Sequence, residues 1–158
     1  VRPLAGVRVV ELSVGIAGAY CTKLLADAGA EVVKVEPDGG DPLRRWSASG
    51  AAIPPGEAGA LYRHLARAKR VAGADELDGL LAGAACVVWS PGGRLAPAEL
   101  RAAHPHLVVT TLTPFGLDGP WHDKPATELT LQAWSGGIVG LGRGYPDRPP
   151  VQVGGRVG

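Results

Sequence analysis

The sequence predicts an α/β domain built on an open, mostly parallel sheet, and three observations predict it. Short β-branched runs alternate with segments rich in Ala and Leu, the pattern expected when helices cross over between parallel strands. Gly and Pro mark many of the junctions between them, as turn residues do. A chain of 158 residues has the size of one domain, and a complete domain of that length buries roughly 70% of its unfolded surface.

The elements follow in order along the chain. "VRVVEL" (7–12) reads as a buried strand, and a turn of small residues leads from it into "AGAYCTKLLADAG". That segment places Tyr20, Leu24, Leu25 and Ala28 near one helical face, with Gly29 positioned to end the helix. "EVVKVE" (31–36) is the next strand, followed by a loop rich in Gly and Pro. Residues 47–59 form an irregular excursion of small residues, Pro and Gly. "EAGALYRHLARA" is helical, "KRV" a brief strand, and "ADELDGLLAG" a helix with Asp75 as its N-cap. "ACVVWS" is a strand and "APAELRAA" a helix with Pro97 in its first turn. "LVVTTLT" is the last clear strand, and "TELTLQAWSG" a helix closing at Gly136. Ligands of such sheets sit in loops at the carboxyl ends of the strands. The decapeptide "LTPFGLDGPW" (112–121), with its two rings, follows the last strand in such a place.

Composition excludes several function classes. Sixteen basic and 15 acidic residues give a net charge of +1, so no global field directs the chain to nucleic acid or to a membrane surface. Cys21 and Cys86 stand far apart, at neither metal-ligand nor disulfide-framework spacing, which reads as core thiols in a reducing compartment. No apolar run approaches bilayer length, and the N-terminus lacks the basic-then-apolar pattern of a leader. The expectation is a cytoplasmic protein with no membrane or nucleic-acid partner. The absence of Met, the start at Val1 and the Gly-rich ending "VQVGGRVG" read as an excerpt of a longer polypeptide.

Isolated motifs say less. Gly15 and Gly18 in "ELSVGIAGAYCT" would let backbone amides approach a ligand at a helix N-terminus. The G-x-G-x-x-G dinucleotide fingerprint is incomplete, however, so an NAD reading rests on fold analogy; Glu36 could bond a ribose hydroxyl but reads as a solvated strand end. Arg63 and Arg67 share a helix face and read as solvated, whereas Lys69 and Arg70 enter a strand and could present donors to a phosphorylated ligand. No G-x-S-x-G elbow, P-loop or H-E-x-x-H occurs. His104 and His106 flank Pro105 without a third ligand nearby, His64 and His122 have no evident partners, and Asp118, Asp123 and Glu128 cluster after the last strand. No metal site is expected.

Three blocks, in order, carry a stronger signal. "PLAGVRVVELSVGIAGAYCTKLLADAGAEVVKVEPDGGDPLRRW", then "AKR", then "LTPFGLDGPWHDKPATELTLQAWSGG" resemble the family III CoA-transferases, the CaiB/BaiF group, over nearly the whole chain. The resemblance implies a Rossmann-like fold, a mostly parallel open sheet with helices on both faces, completed by chain from the C-terminal part of the parent protein. On this reading residues 1–158 are the N-terminal, CoA-binding part of the large domain.

The resemblance also implies transfer of coenzyme A between an acyl-CoA and a carboxylic acid. An enzyme carboxylate would form anhydride and CoA-thioester intermediates, with CoA and acyl-CoA as substrates and no tightly bound cofactor. Two subunits would interlock, as a homodimer or heteromer. The CoA-contacting positions fall on Ile16, Ala17 and Pro37, on Ala74, Asp75, Glu76 and Leu77, on Ser90, Pro91 and Gly92, and on Thr113, Pro114, Phe115 and Gly116. Arg94 would grip a CoA phosphate. Apolar side chains among these carry only a backbone or packing role.

Departures from the family pattern bear on function. Relatives read like "ENFRPG…RLGL" where this chain has the shorter "WSPGGRLAP", and Pro37 replaces a frequent basic residue. The family's nucleophilic Asp follows a turn resembling "PPVQVGGRVG", so the catalytic carboxylate is expected just after Gly158 and none of the 158 residues is assigned as catalytic. The related α-methylacyl-CoA racemases have a His before the carboxylate equivalent to Glu128, where this chain has Thr127. A third reading is a non-catalytic CoA-binding or scaffolding subunit.

Overall fold

The computed structural model describes residues 2–138 and Leu141. It divides into two compact units, Val1–Leu112 and Thr113–Gly158. The first unit holds five parallel strands in the order β3-β2-β1-β4-β5: β1 (Arg8–Leu12), β2 (Glu31–Val35), β3 (Lys69–Ala72), β4 (Cys86–Trp89) and β5 (Val108–Thr111). The connecting helices are α1 (Ile16–Asp27), α2 (Ala60–Leu65), α3 (Leu77–Gly83) and α4 (Pro97–Ala103). The second unit contributes α5 (Glu128–Trp134). The open, parallel α/β sheet expected from the sequence is therefore present.

Alternation along the strands sorts side chains onto two covered faces, as parallel sheets require. Val9, Val32 and Val88 point to one face and pack with Cys21 and Leu25 of α1. Val10, Leu12, Val35, Val87 and Trp89 point to the other and pack with Leu77 and Leu81 of α3 and Leu100 of α4. Leu81, Val87 and Leu100 are completely buried, each stabilising the fold by about 1.5–3 kcal/mol. A satellite cluster joins Ala19 of α1 to Leu43 and to Tyr62 and Leu65 of α2.

Several local expectations need correction. Tyr20 and Leu24 are about half exposed, and the residues that α1 buries are Gly18, Ala19 and Thr22. Small residues face the sheet because polar groups below them need close contact. Gly18 shows this directly: a Cβ there would lie 2.0 Å from Ser13 Oγ. Asp75 does not cap α3, because a short 3-10 turn, Ala74–Glu76, precedes that helix. Pro97 opens α4 as expected; Glu99 accepts from the Ala96 N–H at 2.6 Å, while Ala96 has no side-chain acceptor to offer in return. In α5, Thr127 is the N-cap and its Oγ1 accepts from Thr130 N. Cys21 and Cys86 are free, half-buried thiols, and burial pushes the Cys86 thiol up.

Charged residues lie beneath α1. Glu11 on β1 and Lys34 on β2 stand opposite each other in the sheet register, and both are buried. Glu11 Oε1 accepts from Lys34 Nζ at 2.7 Å and from Ser13 Oγ at 3.1 Å, while Oε2 accepts from Thr22 Oγ1 at 2.6 Å and Lys69 Nζ at 2.9 Å. Lys34 Nζ also donates to Ser13 O and lies 2.9 Å from Asp41 Oδ2, a contact close enough for an ion pair but not aligned as a hydrogen bond. Lys69 Nζ completes its set with Ala19 O and Thr22 Oγ1. Two cations and two carboxylates thus sum to zero charge. Burial opposes the charge on Glu11, but Lys34 and Lys69 outweigh it and hold the carboxyl below its usual range. Burial likewise opposes the charge on Lys34, yet Glu11 and Asp41 raise its pKa. For Lys69 burial prevails and the pKa is lowered.

Candidate functional site

In a parallel sheet every strand points its carboxyl end to the same edge, and a cleft opens there where the strand order reverses. Here the chain builds outward from β1 to β2 and β3 and then returns to place β4 on β1's other side, so the reversal lies between β1 and β4. Loops at that edge follow β1, β2, β3 and β4. They carry Ile16 and Ala17, Pro37, Ala74 to Leu77, and Ser90 to Arg94, so the candidate positions of the first unit gather at one edge.

The first loop is fixed from two sides. Ser13 is buried, its hydroxyl donating to Glu11 and its carbonyl accepting from Lys34. The next residue, Val14, donates its N–H to Ser90 Oγ at 2.8 Å. The Ser90 hydroxyl is thus committed to positioning the first loop. Nothing in the sequence marked that role, because it joins residues 76 positions apart. Ile16 and Ala17 open α1 directly above.

The loop after β4 turns tightly over β1. A Cβ at Gly93 would lie 1.9 Å from Leu12 O, so only glycine permits this approach. Trp89 Nε1 donates to Leu95 O at 2.8 Å and closes the turn. Between these anchors stands Arg94, whose Nη2 donates to Asp38 Oδ1 at 2.6 Å. Its Nε is buried and has no hydrogen-bond partner among the described residues. Asp38 belongs to the loop after β2, so the pair spans the end of β1 from one neighbouring strand to the other.

The remaining loops differ in what they offer. Asp75 is exposed and Glu76 pairs with Arg70 at 2.7 Å; these carboxylates accept hydrogen bonds, which suits hydroxyl or amino groups and repels phosphate. Leu77 is buried in the core, leaving only its backbone for contact. Pro37 is half-buried, with no donor. Lys69, read from sequence as a donor for a ligand, is consumed by Glu11, and Arg70 by Glu76. Glu36, considered for a ribose contact, accepts from Arg44 Nε at 2.8 Å and from the Tyr62 hydroxyl. Burial and Glu36 raise the Tyr62 pKa. A cavity of 380 Å3 lies beside this pair, bordered by Gly40, Arg44 and Arg45. Its guanidinium groups are engaged, Arg44 with Glu36 and over the Tyr62 ring, Arg45 with the carbonyls of Ile53 and Pro54.

Thr113, Pro114, Phe115 and Gly116 belong to the second unit. Thr113 Oγ1 accepts from Gly116 N at 2.7 Å and shapes the turn. Phe115 meets Trp121 edge-on with centroids 6.0 Å apart, and Trp121 lies 4.3 Å from Trp134. Lys124 Nζ sits 4.1 Å and 4.6 Å from the centroids of those indoles. The rings of the decapeptide thus pack on one another and on a cation. His122 pairs with Asp123 at 2.9 Å, and Glu128 accepts from Gln132 at 3.0 Å. Among the described residues no group of His, Cys, Asp and Glu is arranged to hold a metal ion, and no helix is long and apolar enough to cross a membrane. The segment around "PPVQVGGRVG" lies outside the described residues.

Comparison with known proteins agrees with the architecture. The profile described as CoA-transferase family III matches residues 4–76 and 91–158, with Leu77 and Ser90 between the matched stretches. Succinyl-CoA–D-citramalate CoA-transferase of Chloroflexus aurantiacus is 36% identical, the alignment covering 99% of this chain and 41% of that protein. The succinyl-CoA–L-malate CoA-transferase beta subunit from the same organism is 33% identical over 96% of this chain and 40% of its own length. The crystal structure of a CaiB/BaiF family protein from Brucella suis superposes with a TM-score of 0.81 at 32% identity, covering 98% of this chain and 44% of that one. The chain spans about two fifths of the length of these curated relatives.

Proposed function

Because the chain belongs to CoA-transferase family III, we propose that it supplies the CoA-binding face of an enzyme that moves coenzyme A from an acyl-CoA to a carboxylic acid. The observation that carries this reading is the guanidinium of Arg94, held at the strand-order reversal with its Nε unpaired. A phosphoryl group presents two oxygens to such an edge, and arginine is suited to that bidentate contact. Backbone amides at the start of α1 and in the loop from Ser90 to Gly92 line the path of the pantetheine, while Asp75 faces a hydroxyl or amino group of the nucleotide.

The chemistry proposed is covalent catalysis by a carboxylate following Gly158. Its oxygen attacks the thioester carbonyl, the C–S bond breaks, and the CoA thiolate leaves an acyl-enzyme anhydride. The thiolate then attacks the enzyme's own carbonyl carbon, releasing the first acid and leaving an enzyme–CoA thioester. The acceptor acid reverses both steps and departs as the new acyl-CoA. Proton abstraction of the racemase kind is disfavoured within this chain, because Thr127 is the N-cap of α5 and provides no imidazole. The names of the two Chloroflexus relatives make succinyl-CoA the first donor to assay, and the designation of one as a beta subunit makes a heteromer as reasonable as an interlocked homodimer. A cytoplasmic location follows from the same reading.

The test uses the full-length protein with succinyl-CoA and a panel of labelled carboxylic acids. Label should appear in acyl-CoA, and without acceptor the protein mass should rise by one CoA less one water. Hydrolysis to free CoA with no acyl transfer to any acid would reject the proposal.

A further inference from the structure

The Arg94–Asp38 pair has features that a structural ion pair lacks. The Asp38 side chain is 93% exposed and that of Arg94 35%, so the contact gains little from burial. It also fills the guanidinium unevenly. Nε and Nη2 lie on one edge of the planar group and together match two oxygens of one anion. Asp38 Oδ1 occupies Nη2, at 2.6 Å, while Nε stays without a partner. An exposed carboxylate therefore holds only one of the two donors on that edge, the other being buried.

We infer that Asp38 is an internal counter-anion that a ligand phosphoryl group must displace from Arg94, and so sets the affinity of the site. This rests on the reading of Arg94 as a phosphate contact. In the structure Asp38 neutralises Arg94 and holds it across the end of β1. A phosphoryl group brings as much negative charge or more, and a displacement that also turns the guanidinium would bring the buried Nε to a second oxygen. The contact that Asp38 gives up is an exposed ion pair, whose small value keeps the exchange easily reversible.

The experiment is calorimetric titration of the full-length protein with pyrophosphate and, separately, with CoA. Wild type, Asp38→Asn, Asp38→Glu, Arg94→Ala and the double variant Asp38→Asn/Arg94→Ala are compared, each first checked for an unchanged circular dichroism spectrum. Removing the competitor should tighten pyrophosphate and CoA by about two- to fivefold. Asp38→Glu should stay near wild type, and the gain should vanish when Arg94 is Ala. A gain that persists without Arg94 would be a diffuse charge effect and would overturn the inference, as would no gain or a loss in Asp38→Asn. Tighter pyrophosphate with no CoA binding in any variant would support the displacement and reject the CoA reading. CoA binding that ignores Asp38 would do the reverse, and binding of neither ligand would reject both.

Discussion

Two charged clusters in the first unit look alike in composition and differ in exposure. Beneath α1, the side chains of Glu11, Lys34, Lys69 and Asp41 are buried together; Lys69 makes three hydrogen bonds, and Lys34 two beside its ion pair with Asp41. At the end of β1, Arg94 and Asp38 form one exposed contact and leave Nε unpaired. The first cluster is balanced in charge and shut away from solvent, so its role is to fix the strand ends and the Ser13 turn. The second meets solvent, and that is what a binding site needs.

The sharpest way to break this comparison is at Glu11. Glu11→Gln would leave two buried cations facing one carboxylate and should cost about 3–5 kcal/mol, read as a lowered urea midpoint. A much smaller loss would mean that the cluster is better hydrated than its burial indicates. Acid titration tests the same group. Its folded pKa lies below the unfolded value of 4.5, so its stabilisation is present above that value and disappears as pH falls from there through the folded pKa. Glu11→Gln should flatten that limb of the stability curve.

Arg94→Ala comes next. Losing charge-assisted hydrogen bonds worth about 1.5–3 kcal/mol should weaken CoA binding roughly ten- to a hundredfold and flatten its salt dependence, with the urea midpoint almost unchanged. Unchanged affinity at low salt would remove Arg94 from the site. Gly93→Ala should cost about 1–3 kcal/mol by forcing the loop off Leu12 O, lowering both stability and CoA affinity. Tyr62→Phe is the smallest change, about 1 kcal/mol for a hydroxyl bonded to Glu36 that also accepts from Arg44. It should leave CoA affinity alone, since neither partner lies at the strand-order reversal.

How far the sequence reveals this molecule depends on whether a feature is local. Strand runs such as "VRVVEL" and "ACVVWS" mark their elements because β-branched periodicity is written in neighbouring residues. The Asp75 cap fails because a 3-10 turn intervenes, a difference of a few residues that propensity does not resolve. The face shared by Tyr20 and Leu24 lies half exposed, because the buried face of the helix is decided by the polar cluster it covers. That cluster had a visible sign: Glu11 and Lys34 interrupt apolar strands, and a charge in such a place requires a partner. Their pairing with Lys69 joins residues 58 positions apart and is legible only in three dimensions. The same holds for Arg94, which family resemblance singles out, and Asp38, which nothing in the sequence distinguishes.

Amide hydrogen exchange of the full-length protein with and without CoA tests the central claim most directly. CoA should slow exchange in segments 14–18, 36–40 and 90–95 while leaving residues 30–35 unchanged. Saturating CoA that protects none of the three loops, or protects only regions away from the carboxyl edge of the sheet, would contradict the account.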